Sequence, residues 1–233
     1  MARCYDAAVS ARRGKFITFE GLDGCGKSTQ LEKLAEVLRG DGLDVVTTRQ
    51  PGGTEIGERV RAIVLNSGTA NLSPTAELAL MFAARAQLIA EVIDPALAAG
   101  KYVLCDRFTD SSEAYQGAGR GLGSAAVLDV HRVICGNLQP DFTVVMDSDP
   151  AASVERARRR NTSRHGLAKG DENRFEQESR AFFERVRNQY LEIARRDAHR
   201  VFLVNARRPL ELVHGEIVAA VRERLLAPVT RGA

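Results

Sequence analysis

Eight consecutive residues near the start of the chain, Gly21-Leu22-Asp23-Gly24-Cys25-Gly26-Lys27-Ser28, follow the pattern G-x-x-x-x-G-K-[ST]. In that pattern the glycines let the main chain curl until successive N–H groups converge on phosphate oxygens. The lysine then bridges the β- and γ-phosphates of a nucleoside triphosphate, and the Ser28 hydroxyl offers a ligand to Mg²⁺. The pattern carries this meaning only between a strand and a helix. Both flanks fit. Phe16–Phe19 is a short apolar run, and Ser28–Arg39 places Leu31, Leu34, Ala35 and Leu38 on one helical face. Gly21 to Ser28, with Thr29 beyond, are the expected triphosphate site, with Lys27 as its catalytic cation. A helix N-terminus aimed at the phosphates adds a favourable dipole. Such a loop does not choose the reaction: a switch, a motor or a small-molecule kinase would carry it equally.

The second substrate has to be sought at the carboxyl ends of the strands, where ligands of an open parallel sheet gather. After the second apolar run, Val45–Thr48, comes Arg49-Gln50-Pro51-Gly52-Gly53-Thr54. After the third, Tyr102–Cys105, comes the stretch Asp106 to Gln116. Arg49 and Arg107 each present a planar fork suited to phosphate. An acceptor bearing its own phosphate needs such clamps, because phosphoryl transfer brings two anions together. Asp106 ends an apolar strand, where a carboxylate that organises Mg²⁺ would stand beside Ser28. A third basic group, Arg156, Arg158, Arg159, Arg160 and Arg164, follows the fourth apolar run and Asp147. A run of arginines is ordinarily a solvated helix face. Here the phosphate loop contains no arginine, and charge developing on the transferred group needs a cation. A lid that closes over the triphosphate would supply it, and Arg156 and Arg160 are the expected catalytic contacts.

The elements that must hold these residues alternate along the chain. Five apolar runs read as strands: Phe16–Phe19, Val45–Thr48, Tyr102–Cys105, Phe142–Met146 and Val201–Val204. Helical patterns cover Ser28–Arg39, Glu58–Leu65, Pro74–Ala98 with a break near Asp94-Pro95, Ala125–Val133, Ala151–Arg160, Phe175–Arg196 and Leu210–Leu226. Strands alternating with helices predict an α/β three-layer fold, a five-stranded parallel sheet flanked by helices on both faces. One domain spans 15–227, with the lid at about 151–175. Residues 1–14 read as a disordered N-terminal extension, or a transit peptide, and 228–233 as a frayed tail. At 233 residues the chain is long enough for a sizeable core. A net charge of +3 gives no case for a nucleic-acid partner, and no apolar run is long enough for a membrane span. Cys4, Cys25, Cys105 and Cys135 lack metal or redox spacing and suit a reducing cytoplasm.

In the order and spacing of these motifs the chain resembles thymidylate kinase of the bacterial type, from Lys15 to about Glu223. The most specific element is the Asp-Arg-aromatic-x-x-Ser-x-x-Ala-Tyr-Gln run at Asp106–Gln116, followed by Arg-x-Pro-Gly-Gly-Thr at Arg49–Thr54. The resemblance implies a P-loop nucleotide kinase fold and transfer of the ATP γ-phosphoryl group to dTMP with Mg²⁺. It also implies a cytoplasmic homodimer, with the apolar helix Leu78–Ile93 as a candidate contact. Within the site it implies that Arg49 and Arg107 hold the acceptor phosphate, and that Asp23, as a catalytic residue, orients the acceptor sugar and helps position the transferring group. Arg85 and Ser112 would meet the thymine edge, with Ser111 beside them. Tyr115, supported by Gln116, would pack under the deoxyribose and exclude a 2′-hydroxyl. Phe82 is expected against the base, although the family's stacking position, four residues before the arginine, is Met81 here. Two further departures are Gln50, where the family run has Glu near the phosphates and metal, and Asn173, where it has Asp. Asn161–Gly170 resembles an insertion, polar and expected to be mobile without ATP. A kinase for another nucleoside monophosphate would share the fold. A GTP-dependent switch should carry an Asn-Lys-x-Asp run, which the sequence lacks.

Overall fold

The sheet forms first from what the strands bury. β1 (Phe16–Gly21) and β4 (Phe142–Asp147) are buried along almost their whole length on both faces, as strands covered by helices on each side must be. β2 (Val45–Arg49), β3 (Tyr102–Asp106) and β5 (Val201–Asn205) complete a parallel sheet of order β2-β3-β1-β4-β5. The computed structural model describes residues 13–69, 71–164 and 174–226, and the side chains of residues 160–164 fall outside that description. The register aligns Arg49 with Asp106 and Asp106 with Phe19, so the ends of β2 and β3 lie level with each other, two residues short of the end of β1.

Alternation along β1 divides the two faces. Ile17 and Phe19 point toward α1 (Lys27–Gly40) and α9 (Leu210–Val221), packing with Leu31, Leu34, Leu38, Val213 and Ile217. Phe16 points the other way, into a cluster with Phe82, Leu88, Ile93, Val103 and Phe108. This second face is covered by α3 (Pro74–Leu88), with Phe182, Val186 and Ile193 of α8 (Arg180–Arg196) packed against Val145. Glu20, two residues after Thr18 on this same side, is fully buried.

Several element boundaries differ from the sequence reading. α2 begins at Glu55, not Glu58, because the Thr54 hydroxyl accepts from the Gly57 amide and caps it. The helix from Pro74 does not break at Asp94-Pro95. It passes through a π turn at Ile89–Ile93, where the Asp94 amide reaches the Ile89 carbonyl, into α4 (Asp94–Ala98). α5 (Thr109–Ser112) and a π-helical segment (Glu113–Gly119) coil a stretch to which the sequence had assigned no helix. α6 spans Ser124–Ile134 and α7 spans Pro150–Arg164. The helix expected from Phe175 starts at Arg180. Phe175–Gln177 is a separate 3₁₀ turn, and the Ser179 hydroxyl caps α8 by accepting from the Phe182 amide. α9 gives way to a π segment at Arg222–Leu226. The expectations for residues 1–12, Cys4, the later part of the 161–170 insertion, Asn173 and the 228–233 tail lie outside the described residues. Among the described residues no helix is long and apolar enough to cross a membrane.

Candidate active site

At the carboxyl end of the sheet lies a cleft of about 500 Å³. It is lined from one side by the phosphate loop, including Asp23, Gly24, Gly26, Lys27, Ser28 and Thr29. From the other it is lined by Arg49, Asp106, Arg107, Ser111, Tyr115 and Gln116. Both arginines therefore share one cleft with Lys27, the arrangement that a phosphate-bearing acceptor requires.

The loop turns with left-handed glycines, Gly24 at φ 79° and Gly26 at φ 100°. Gly26 leads into α1, whose first turn has no side-chain cap, so its amides face the cleft unengaged by a side chain. Lys27 Nζ lies folded over the loop and donates to the carbonyls of Gly21 (3.2 Å) and Leu22 (2.9 Å). Leu22 and Cys25 turn inward and are buried. Gly24 has a second task. A Cβ there would lie 2.3 Å from the Ser153 carbonyl oxygen, so only glycine lets α7 rest on the loop. Arg156 exploits that approach: its Nε donates to the Gly24 carbonyl at 2.8 Å. Arg158 donates instead to the Glu176 carbonyl (2.6 and 3.1 Å), tying α7 to the chain re-entering at Arg174. The side chains of Arg160 and Arg164 are outside the described residues.

On the acceptor side Arg49 is half-exposed and is held by Glu58, 2.8 Å away. The Glu58 carboxylate also accepts from the Gly53 amide (2.9 Å), and a Cβ on Gly52 would stand 2.6 Å from it. Burial of Glu58 opposes its charge, but Arg49, the Gly53 amide and Arg61 win and hold its pKa below the ordinary value. Arg107 is held more tightly. One terminal nitrogen meets Asp23 at 2.7 Å and the Tyr115 hydroxyl at 3.3 Å; the other donates to the hydroxyls of Ser111 (2.9 Å) and Tyr190 (3.1 Å). Burial works against the guanidinium charge, and Asp23, Tyr115, Tyr190 and Asp106 outweigh it, so its pKa rises well above its usual value. Ser28 Oγ donates to Asp106 at 2.6 Å, uniting the two oxygen groups expected to meet a metal.

The base end departs from expectation. Phe82 does not reach the cleft: it is fully buried in the core, and Met81, one helical step away, lines the cleft instead. The Phe82 ring lies under Arg85, 4.2 Å from the guanidinium carbon. Arg85 and Ser112 are themselves buried one layer behind the cleft lining, and Arg85 donates through Nη2 to Ser112 (2.7 Å), Gln50 (2.8 Å) and the Phe108 carbonyl (3.1 Å). Its Nε and Nη1 are buried without a hydrogen-bond partner. Burial pulls the Arg85 pKa down to about 10, leaving it cationic at neutral pH. Gln50 corrects a second expectation. Its side chain turns from the phosphates and metal to Arg85, and it donates to the Met81 carbonyl at 3.0 Å. An amide satisfies a donor and an acceptor there at once, which a carboxylate could not.

Tyr115 and Gln116 both line the cleft. The Tyr115 ring meets Phe175 edge-on, with centroids 5.5 Å apart, and its hydroxyl donates to Asp23 at 3.2 Å. Gln116 donates to the buried Glu77, which also pairs with Arg174 at 2.7 Å. Sequence reasoning missed Glu20, Glu58, Glu77, Tyr190 and Phe175. Glu20 alone left a signal, a carboxylate inside an apolar strand one residue before the loop.

Known proteins resemble this chain along most of its length. The thymidylate kinase family model matches residues 19–217. A thymidylate kinase of Pseudomonas fluorescens is 47% identical over 206 residues, covering 88% of this chain and 94% of its own. One from Geobacter sulfurreducens is 44% identical, covering 94% and 99%. The crystal structure of thymidylate kinase from Ehrlichia chaffeensis superposes with a TM-score of 0.70 at 31% identity, over 90% of this chain and 99% of that one. With a family model matched along most of its length and relatives 44–47% identical over nearly the whole chain, the chain belongs to the thymidylate kinase family.

Proposed function

We infer that this chain transfers the γ-phosphoryl group of ATP to the 5′-phosphate of dTMP, giving dTDP and ADP. The observation that carries the reading is the placement of Arg49 and Arg107 in one cleft with Lys27. The phosphate loop and the first turn of α1 cradle the triphosphate, and Lys27 leaves the loop carbonyls for the β- and γ-oxygens. Arg107 and Arg49 hold the acceptor phosphate, with Arg107 already charged and oriented by Asp23. Arg156, already resting on the loop at Gly24, supplies the lid cation for the transferring group. Tyr115 forms the floor of the sugar site and rejects a 2′-hydroxyl by its volume. Met81 covers the base, and Arg85, buried behind the cleft lining with Nε and Nη1 unpartnered, backs that end of the pocket.

Ser28 and Asp106 fit Mg²⁺, which takes hard oxygen ligands and completes its shell with water and substrate phosphates. Among the described residues no group of three or more His, Cys, Asp or Glu side chains is placed to hold a metal ion. When bound, the ion neutralises phosphate charge. We also propose that the enzyme is cytoplasmic and homodimeric. The apolar residues expected to form the dimer contact, Leu78, Leu88 and Ile93, are buried in their own subunit. Exposed Val133 and Ile134 on the neighbouring α6 support a contact on that side, and a solution mass of a single 25.4 kDa chain would refute it.

Coupled ADP release with dTMP, dUMP, dCMP and dGMP tests the activity. dTMP should give the highest kcat/KM, above dUMP by roughly 10-fold or more, the worth of a methyl in a fitted pocket. ADP release equally fast without acceptor would refute the kinase reading.

A further inference from the structure

Glu20 belongs to no part of the machinery described above, yet it lies directly behind it. It is the penultimate residue of β1, fully buried, on the face opposite Ile17 and Phe19. One carboxylate oxygen accepts from the Phe108 amide at 2.7 Å. The other accepts from the Ser111 hydroxyl and from the Tyr190 hydroxyl at 3.2 Å. These are the two hydroxyls on which one nitrogen of Arg107 rests.

The backbone adds a second link. Arg107 has φ 71°, in the left-handed region that residues other than glycine occupy only at a cost. Such a conformation persists only where its surroundings over-determine it. Here the peptide before it is fixed by the Arg107 amide donating to the Phe19 carbonyl at 2.9 Å. The peptide after it is fixed by Glu20 through the Phe108 amide. A single carboxylate thus fixes both the strained backbone of Arg107 and the hydroxyls that orient its guanidinium.

We propose that Glu20 is a positioning residue for the acceptor-phosphate clamp, setting the direction of Arg107 through Ser111 and Tyr190. The direction of each hydrogen bond follows from its chemistry. In its ionised form, the form present above neutral pH where the assays below are run, Glu20 accepts from both hydroxyls, which so present lone pairs to the guanidinium. Replacing the carboxylate by an amide of the same shape turns one acceptor into a donor. Ser111 and Tyr190 would then face N–H groups from both sides, and the guanidinium would lose its rest.

The proposal deepens the dTMP kinase reading and rests on it, so the wild-type acceptor assay comes first; its failure would sink that reading, not this one alone. In a wild-type-active enzyme, Glu20→Gln should lower kcat/KM for dTMP at least 10-fold, leave KM for ATP within 2-fold, and not lower Tm. A change within 2-fold for dTMP, or equal losses for both substrates, would overturn the proposal. Tyr190→Phe gives an independent arm should Glu20→Gln fail to fold. It should raise KM for dTMP without raising KM for ATP, and no change in either would count against the proposal. In the double variant the two losses should fall short of multiplying, because the Tyr190 hydroxyl is common to both. Full multiplication would overturn the shared route.

Discussion

Arg107 bears the greatest demand of any side chain in the cleft. It is cationic beyond question at neutral pH, it is anchored on four sides, and it ends a strand beside the phosphate loop. Arg107→Ala should lower kcat/KM for dTMP at least ~10²-fold, because an anion clamp acting in the transition state is lost. Binding of an ATP analogue, measured by calorimetry, should remain within a few-fold; loss of that binding would show that Arg107 serves the loop rather than the acceptor. Residues of this kind were legible because their chemistry is stated by type and position: Arg49 and Asp106 close strands, Arg107 follows one, and Lys27 opens the helix after the loop. Met81 against Phe82 was not legible, since adjacent residues on a helix differ by about 100° and only the packed orientation of α3 decides between them. Gln50 was misplaced for a similar reason: the sequence put it near the metal, and its side chain turns the other way.

At the scale of elements, the contact between the phosphate loop and α7 depends on the absence of one carbon. Gly24→Ala would strain a φ of 79° and drive a Cβ into the Ser153 carbonyl, both backbone features that cannot swing aside. The left-handed strain alone costs about 1–2 kcal/mol. The expected outcome is a lower Tm and a KM for ATP raised several-fold, as Arg156 loses its seat on the loop; an unchanged KM for ATP would separate α7 from triphosphate handling. The five strands and their parallel order were readable because each is a short apolar run ended by turn residues. Thr109–Gly119 was unreadable as a helix because almost every position in it is buried, polar and apolar alike. No amphipathic stripe exists for periodicity to find. The start of α8 was misjudged because Phe175 is apolar in the right phase, whereas Ser179 caps the helix four residues later.

For the whole molecule, two buried groups bend the pH dependence of stability in opposite directions. Burial, reinforced by Asp110, raises Glu20 to about 7, against the pull of Ser111, Arg107 and the Phe108 amide. Arg85, Cys105 and Tyr190 also face it. A carboxyl raised above its unfolded value of 4.5 holds a proton in the folded state that the unfolded chain has released. Its contribution is therefore present at acid pH and lost as pH rises toward 7. His131 is the converse. Burial, with Arg85 nearby, lowers it to about 4 from 6.5, so the unfolded chain binds the extra proton. Its contribution is present above 6.5 and lost as pH falls, and His214 is shifted in the same direction. Between pH 5 and 6.5 one proton taken up by the folded state offsets one taken up by the unfolded state. The acidic groups Glu58 and Asp197, lowered from 4.5 and 3.8, act below that window. Glu20→Gln removes one side of the balance. Its stability should therefore fall on acidification from pH 6.5 to 5 more steeply than that of the wild type, by about 1.4 kcal/mol per pH unit for one proton. Urea denaturation at pH 5, 6 and 7 reads the slope directly, and parallel curves for the two proteins would mean that Glu20 carries no proton of its own in the folded state.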